Sequence, residues 1–441
     1  MAVIHVVTRY RPLDSAGGIL LKFFFLGAFT GTLLLALPIS RTGDFHLLDL
    51  FFTAASAITV TGLVTLDTGS DFSFFGQLVI ALLIQVGGLG YMLIGSLTLL
   101  GKQHLLSLRQ QATLGVTGFT DSGLNLFSIL RFALILTALM VVFTALALSV
   151  FWVPAYGWQD GLWRSVFHAN SAYNNAGFAL FSDSLVTAAG GQPVAWIHAF
   201  AFITGGLGFI VTLEVLSKDR KWSIHTRIMV YGSIAMLALG TLLIMLFERH
   251  NGSLGQGMER FTQAFFQAAT TRTAGFNSMN LDSLSDASLT FMMVNMVIGA
   301  GPGSTAGGIR LTTFVLLLSG LVAALQGRHT TRLLGRSLDV NHLLRASGIL
   351  VLTLALLTVI SLALLTLEPE QPGLVVIFEA VSALGTVGLS LGATGELSEA
   401  GKVLVILVML IGKVSPVLLF SALAGRPDRP IRHAGGYVAL G

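Results

Sequence analysis

The sequence predicts an all-α membrane protein of eight transmembrane helices in four like units: helix, short re-entrant helix, extended loop, helix. Three observations predict it: a composition too apolar for water, apolar runs of two distinct lengths, and a motif that recurs four times in register. Of 441 residues, 54% are hydrophobic and 10% charged, with a mean hydropathy of +0.82. A soluble chain carries about 25% charged residues. A soluble enzyme, a disordered chain and a nucleic-acid-binding module are therefore excluded, despite a net charge of +4 and a pI near 9.5. With no cysteine, neither a disulfide nor a thiolate metal site is available. The 50 glycines, well above the usual ~7%, also need a reason.

The N-terminal segment to Gly18 carries Arg9, Arg11 and Asp14 and lacks the apolar core and cleavage site of a secretory signal. Long apolar runs cover 18–37, 74–101, 126–153, 194–216, 226–247, 287–325, 346–367 and 401–424. Each reaches the ~20 residues a helix needs to cross the hydrocarbon. The stretches at 45–58, 161–173, 259–271 and 373–384 are too short to cross, and read as re-entrant or buried. Repeat boundaries follow at 1–102, 103–220, 221–327 and 328–441, the last with a cytoplasmic C-terminal tail. Seventeen of the 25 basic residues fall at the N-terminus, 102–131, 214–227, 326–345 and 425–441. Acids such as Asp67, Asp183, Glu248, Asp282 and Glu368 collect on the other face. The positive-inside rule makes the basic face cytoplasmic and places both termini inside. The basic loops orient the chain and meet lipid headgroups, or dock a cytosolic partner; the two roles coexist.

The short stretches align without gaps: FTAASAITVTGL (52–63), FHANSAYNNAGF (167–178), FFQAATTRTAGF (265–276) and FEAVSALGTVGL (378–389). In each a Phe stands ten residues before a Gly, and a bulky Leu or Phe follows that Gly. A half-helix that stops within the membrane leaves extended backbone at membrane depth, tolerated where it is buried or lines a water-filled path. Gly at the turn opens backbone angles closed to other residues, so successive carbonyls can point one way. Four such loops around one axis make a ring that replaces a cation's hydration shell, with the negative ends of four half-helices behind it. The competing reading, buried hairpins whose glycines only allow tight packing, suits one copy better than four in register.

The second helices carry glycine at comparable depths: Gly87, Gly205 and Gly412. In the third unit the position expands into GAGPGSTAGG (299–308). Proline removes a donor and glycines disfavour helix, so the sequence predicts a broken helix there. A mid-membrane loop beneath such a ring can obstruct it and move aside; a plain kink is the alternative. The phosphate-loop reading fails for want of a preceding strand and the Lys-Ser/Thr pair. Lys413 sits inside an apolar span, where a charge costs about 2.5–3.5 kcal/mol and usually faces a pore or partner. Snorkelling is its alternative. Glu379, early in the fourth short helix, suits the N-terminal dipole. The ten histidines show no metal-ligand spacing, and no nucleophile–base set stands out, so no enzyme is expected.

The fourfold plan resembles the Trk/Ktr/HKT superfamily of potassium transporters over nearly the whole chain, most closely the membrane subunits of its Ktr branch. SAITVTGLVTLDTGSDFS (56–73), NNAGFALFSDS (174–184), TRTAGFNS (271–278) and GTVGLSLG (385–392) resemble its four filter loops. IQVGGLG (84–90), TGGLGF (204–209) and IGAGPGSTAGGIR (298–310) resemble its second-helix motifs. The resemblance implies potassium coordination at Gly62, Gly177, Gly275 and Gly388, joined by the carbonyls of Val60, Thr61, Asn175, Ala176, Thr273, Ala274, Thr386 and Val387. It implies an intramembrane gate at Gly299, Gly301, Pro302, Gly303, Ser304, Thr305, Gly307 and Gly308, with Lys413 where relatives carry Arg. Ser415 and Pro416 also depart from the family's glycine-rich pattern.

The same resemblance implies potassium uptake across a bacterial inner membrane, with no cofactor in the chain itself. It further implies activation by Na⁺, a homodimer, and a cytosolic ring of regulatory subunits that bind a nucleotide. A sodium-coupled secondary transporter with broken helices is the alternative. It would need two inverted halves and acids inside spans.

Overall fold

The computed structural model describes residues 16–100, 126–217, 222–302, 304, 307–328, 331–338 and 340–414. The basic stretches at 1–15, 101–125, 218–221 and 415–441, which carry much of the predicted orientation signal, lie outside these residues, as do Gly303, Thr305, Ser415 and Pro416. The first unit comprises α1 (Ala16–Leu35), α2 (Leu47–Thr59) and α3 (Phe74–Leu100). The second comprises α4 (Leu126–Tyr156), α5 (Trp158–Tyr173), α6 (Gly191–Leu207) and α7 (Phe209–Leu216). The third has α8 (Ile224–Phe247), α9 (Gly257–Thr270), α10 (Asp286–Val297) and α11 (Leu311–Leu325). The fourth has α12 (Val340–Leu367), α13 (Gly373–Gly385) and α14 (Glu399–Val414).

Each short helix lies within three residues of its predicted limits. Among the described residues, α1, α4, α8 and α12, the first helix of every unit, are each long and apolar enough to cross a membrane. The second helices are less regular. The run predicted as one span over 194–216 bends by 100° between α6 and α7. The break falls at Gly208, whose φ of +92° and ψ of +148° suit glycine alone. The 287–325 run is interrupted between α10 and α11, where the sequence places Pro302 among glycines.

One short hairpin accompanies the helices of this all-α fold. Strands β1 (Thr331–Leu333) and β2 (Arg336–Leu338) pair antiparallel, with Leu333 opposite Arg336. Leu334 and Gly335 both take positive φ, the geometry of a two-residue hairpin turn that matches strand twist.

The core is divided among the seams between units. Leu35, Ile80, Phe167 and Phe178 pack units one and two together, and Trp152, Phe202, Leu237 and Phe276 join two and three. Ile244, Met296, Phe378 and Leu389 join three and four. Phe24, Phe52, Leu364 and Val405 join four back to one, which closes a ring. The motif residues Phe52, Phe167 and Phe378 are fully buried at these seams. In the third unit Phe265 is only partly buried and stacks on Trp196 of α6, with ring centroids 4.7 Å apart.

The second-helix glycines have a packing reason. A methyl group on Gly87, Gly205 or Gly412 would collide with the carbonyl of Ile58, Tyr173 or Leu384 respectively. Each carbonyl belongs to the last turn of that unit's own short helix. Glycine thus lets the second helix lie against the short helix's backbone, directly behind the loop that follows.

Candidate functional site

Each short helix is followed by two residues of positive φ, two positions apart. Val60, Asn175, Thr273 and Thr386 take left-handed backbone angles, with φ of 56°, 57°, 75° and 48°. Two residues later Gly62, Gly177, Gly275 and Gly388 take φ of 96°, 71°, 76° and 91°. In units one, two and four the left-handed residue donates back three positions, Val60 to Ala57, Asn175 to Ala172 and Thr386 to Ala383. Its successor donates back five, Thr61 to Ser56, Ala176 to Ser171 and Val387 to Ser382. This is the Schellman arrangement, usually built on glycine. Filling it with Val, Asn and Thr stores backbone strain at the loop entrance, about 1–2 kcal/mol per residue. Unit three differs: Ala274 donates to Thr270 O, four positions back. Ser56 Oγ and Ser382 Oγ further accept the N–H groups of Gly62 and Gly388, at 3.0 and 3.1 Å.

The four loops meet in cyclic order. A methyl on Gly62 would strike the Ala176 carbonyl oxygen, and one on Gly177 would come within 3.1 Å of the Ala274 oxygen. A methyl on Gly275 would strike Val387 O, and one on Gly388 would strike Thr61 O. Loop one therefore abuts two, two abuts three, three abuts four and four abuts one. At the inner end, Asn175 and Thr273 side chains meet across units at 3.4 Å. On the mouth side the four glycines floor a cavity of about 680 Å³, whose rim includes Asp67, Asp183, Asp282 and Thr394. The four glycines and the carbonyls of Thr61, Ala176, Ala274 and Val387 thus meet in one ring, with Val60, Asn175, Thr273 and Thr386 one residue before those carbonyls.

The segment between α10 and α11 is ordered at its base. Gly299 N donates to Ile309 O at 2.9 Å, and Ile309 N to Val297 O at 3.0 Å. Ser304 Oγ and Arg310 Nη1 both donate to Gly301 O, at 2.7 and 3.2 Å. The loop seats on the bend of the second unit through Gly301 N to Gly206 O, 3.1 Å. A methyl on Gly307 would strike the Thr386 hydroxyl, so this segment reaches the start of the loop that follows the fourth short helix. Of the expected gate residues, Gly299, Gly301, Pro302, Ser304, Gly307 and Gly308 belong to this loop. Lys413, on α14, is buried, at 1% exposure, which removes the snorkelling alternative.

Sequence reading missed the side chains behind the ring. Glu379 serves no helix dipole: it lies in the middle of α13, fully buried, and accepts from Ser390, Leu391 and Thr394 just past the loop glycine Gly388. His168 and His198, 30 residues apart, face each other at 3.4 Å beside Trp152. Of these only Glu379 stood out in the sequence, as the one charged residue of the apolar stretch Gly373–Gly385.

The profile of the TrkH cation transport proteins matches residues 19–426. The Ktr system potassium uptake protein B of Bacillus subtilis is 39% identical over 425 residues, 95% of each chain. The protein of that name from Vibrio alginolyticus is 40% identical over 92% of this chain and 90% of its own. The potassium/sodium uptake protein NtpJ of Enterococcus hirae is 35% identical over 95% of each. The crystal structure of the potassium transporter TrkH from Vibrio parahaemolyticus superposes with a TM-score of 0.77, covering 95% of this chain and 86% of that one at 18% identity. That last likeness concerns the fold.

Proposed function

The chain belongs to the TrkH family of cation transport proteins, and from that premise we propose that it is the pore-forming membrane subunit of a potassium uptake system. The observation that carries this reading is the closed ring, in which each loop's glycine abuts the next loop's carbonyl. A cation entering the acidic-rimmed cavity exchanges water for these carbonyls, behind which four short helices end. It then reaches the space beneath the ring, where the 299–308 loop and Lys413 bar further passage. Displacing that loop opens the path, so the loop is the gate.

The cavity side faces outward and both termini face the cytoplasm of a bacterial cell, a reading supported by the basic loops. Two copies form a homodimer, and a cytosolic ring of nucleotide-binding subunits presses on those loops. The names of the Bacillus and Vibrio relatives, each one protein of a Ktr system, support a partner subunit. Sodium acts as an activator, in keeping with the Enterococcus relative named for both ions. A sodium-coupled carrier built from inverted halves is the weaker reading, because four loops in one cyclic order give no such pair.

Uptake by potassium-uptake-deficient cells at limiting K⁺ tests the filter. Gly62→Ser and Gly388→Ser force a side chain onto the neighbouring carbonyl and onto positive φ. Both should lower K⁺ over Na⁺ selectivity at least about tenfold. Unchanged selectivity in both sinks the assignment.

A further inference from the structure

Three residues past its glycine, each of three filter loops is gripped by a polar side chain of its own short helix. In unit two His168 Nε2 accepts the Leu180 N–H at 2.9 Å. His198 Nδ1 faces Val194 O at 2.8 Å, so it carries a proton there and its Nε2 accepts from His168 Nδ1. That leaves His168 Nε2 as the bare acceptor the loop requires. In unit three Gln263 holds Ser278 twice, accepting its hydroxyl and donating from Nε2 to its carbonyl at 3.3 Å. In unit four Glu379 accepts the Leu391 N–H at 3.3 Å, the Thr394 hydroxyl at 2.7 Å and the Ser390 hydroxyl.

The placement is regular although the side chains differ. His168 and Glu379 stand nine residues before their glycines and Gln263 twelve, positions one helical turn apart on one face. Unit one departs from the pattern. Its corresponding residues are Leu50 and Thr53, and the Thr53 hydroxyl turns back to Asp49 O at 3.0 Å. Thr65, third past Gly62, has a buried hydroxyl with no hydrogen-bond partner.

We propose that His168, Gln263 and Glu379 are positioning residues that hold three walls of the ring at fixed separation and so set its discrimination between K⁺ and the smaller Na⁺, loop one being the compliant wall. Discrimination by carbonyl oxygens is lost when the loops can close around a smaller ion. This inference rests on the filter reading.

The test uses the full chain in potassium-uptake-deficient cells, measuring KM for K⁺ and for Na⁺ together with protein abundance in the membrane. His168→Phe keeps the ring packing against Trp152 and Phe181 but removes the acceptor; His168→Gln returns one. Glu379→Ala and Glu379→Gln form the matching pair. His168→Phe and Glu379→Ala should lower the K⁺/Na⁺ preference about tenfold, with both Gln variants within about twofold of the parent. A preference unchanged in His168→Phe and Glu379→Ala, with uptake falling only in step with abundance, overturns the proposal. Gly388→Ser, run alongside, separates the failures. If it alone alters preference, the filter stands and the clamps fall; if it too leaves preference intact, the filter reading fails and takes the clamps with it.

Discussion

Glu248 shows how a single residue changed meaning between sequence and structure. Its charge is one of the acids that mark the outer face, yet the carboxylate is buried and accepts from Ser285 N, Ser285 Oγ and Asn251 Nδ2 at 2.9, 2.6 and 2.7 Å. It also accepts from Ser288 Oγ, so the end of α8 caps the start of α10. Glu368 does the same for α14, accepting from Ser398 N and Ser398 Oγ at 2.9 and 2.6 Å. Burial pushes the Glu248 carboxyl upward, but the donors from Ser285, Ser288 and Asn251 outweigh it, and the group titrates below its ordinary range. A depressed folded value means that the stabilisation is complete above the unfolded carboxylate pKa, about 4.3, and is lost as pH falls through the folded one. Glu248→Gln should therefore be less stable to unfolding in detergent than the parent at pH 7, by about 1–3 kcal/mol. The gap should shrink on acidification below pH 4. A gap independent of pH would mean that the charge is not what caps the helix.

At the scale of elements, the breaks in the second helices set the shape beneath the ring. The sequence announces one break through Pro302 and its glycines, and gives little sign of the other, because TGGLGF reads as a continuous apolar run. The bend at Gly208 needs a backbone geometry visible only once the chain is folded, and it supplies the seat that receives Gly301. Under the proposed gating, a loop pinned at its base and resting on that seat would lift as a piece. Deleting 300–308 should raise K⁺ flux severalfold in cells lacking any regulatory subunit, as read by uptake at saturating K⁺. A flux that falls or stays constant, at equal protein abundance, removes the loop from the gate. The short helices themselves were fully legible, because their small residues and Phe-to-Gly spacing repeat. Their left-handed ends were not, since Val60, Thr273 and Thr386 are β-branched residues that sequence rules keep away from positive φ.

For the whole molecule, stability lies in the seams, and one seam joins chain segments more than 350 residues apart. Lys402 Nζ on α14 meets Asp49 Oδ1 on α2 at 2.6 Å, with side chains only 16% and 12% exposed. This pair holds the last unit against the first beside the cluster containing Phe52 and Val405. Removing one partner strands the other in a partly buried site, so Lys402→Met should cost about 3 kcal/mol of stability in detergent. Lys402→Met with Asp49→Asn should recover more than half of that loss. Equal losses in the single and double variants would show no coupling across the seam.

By itself the sequence determined the membrane class, the four units, the ring-forming loops and the interrupted third-unit helix. Each of these is encoded locally, in hydropathy over a span or in a motif of a dozen residues. Tertiary structure decided the cyclic order of the loops, the second bend, and the grip of His168, Gln263 and Glu379 on the ring. Such features depend on which backbone and which donor a residue meets across the chain. A polar residue in a short apolar helix announces that it needs a partner, and only the folded chain supplies one.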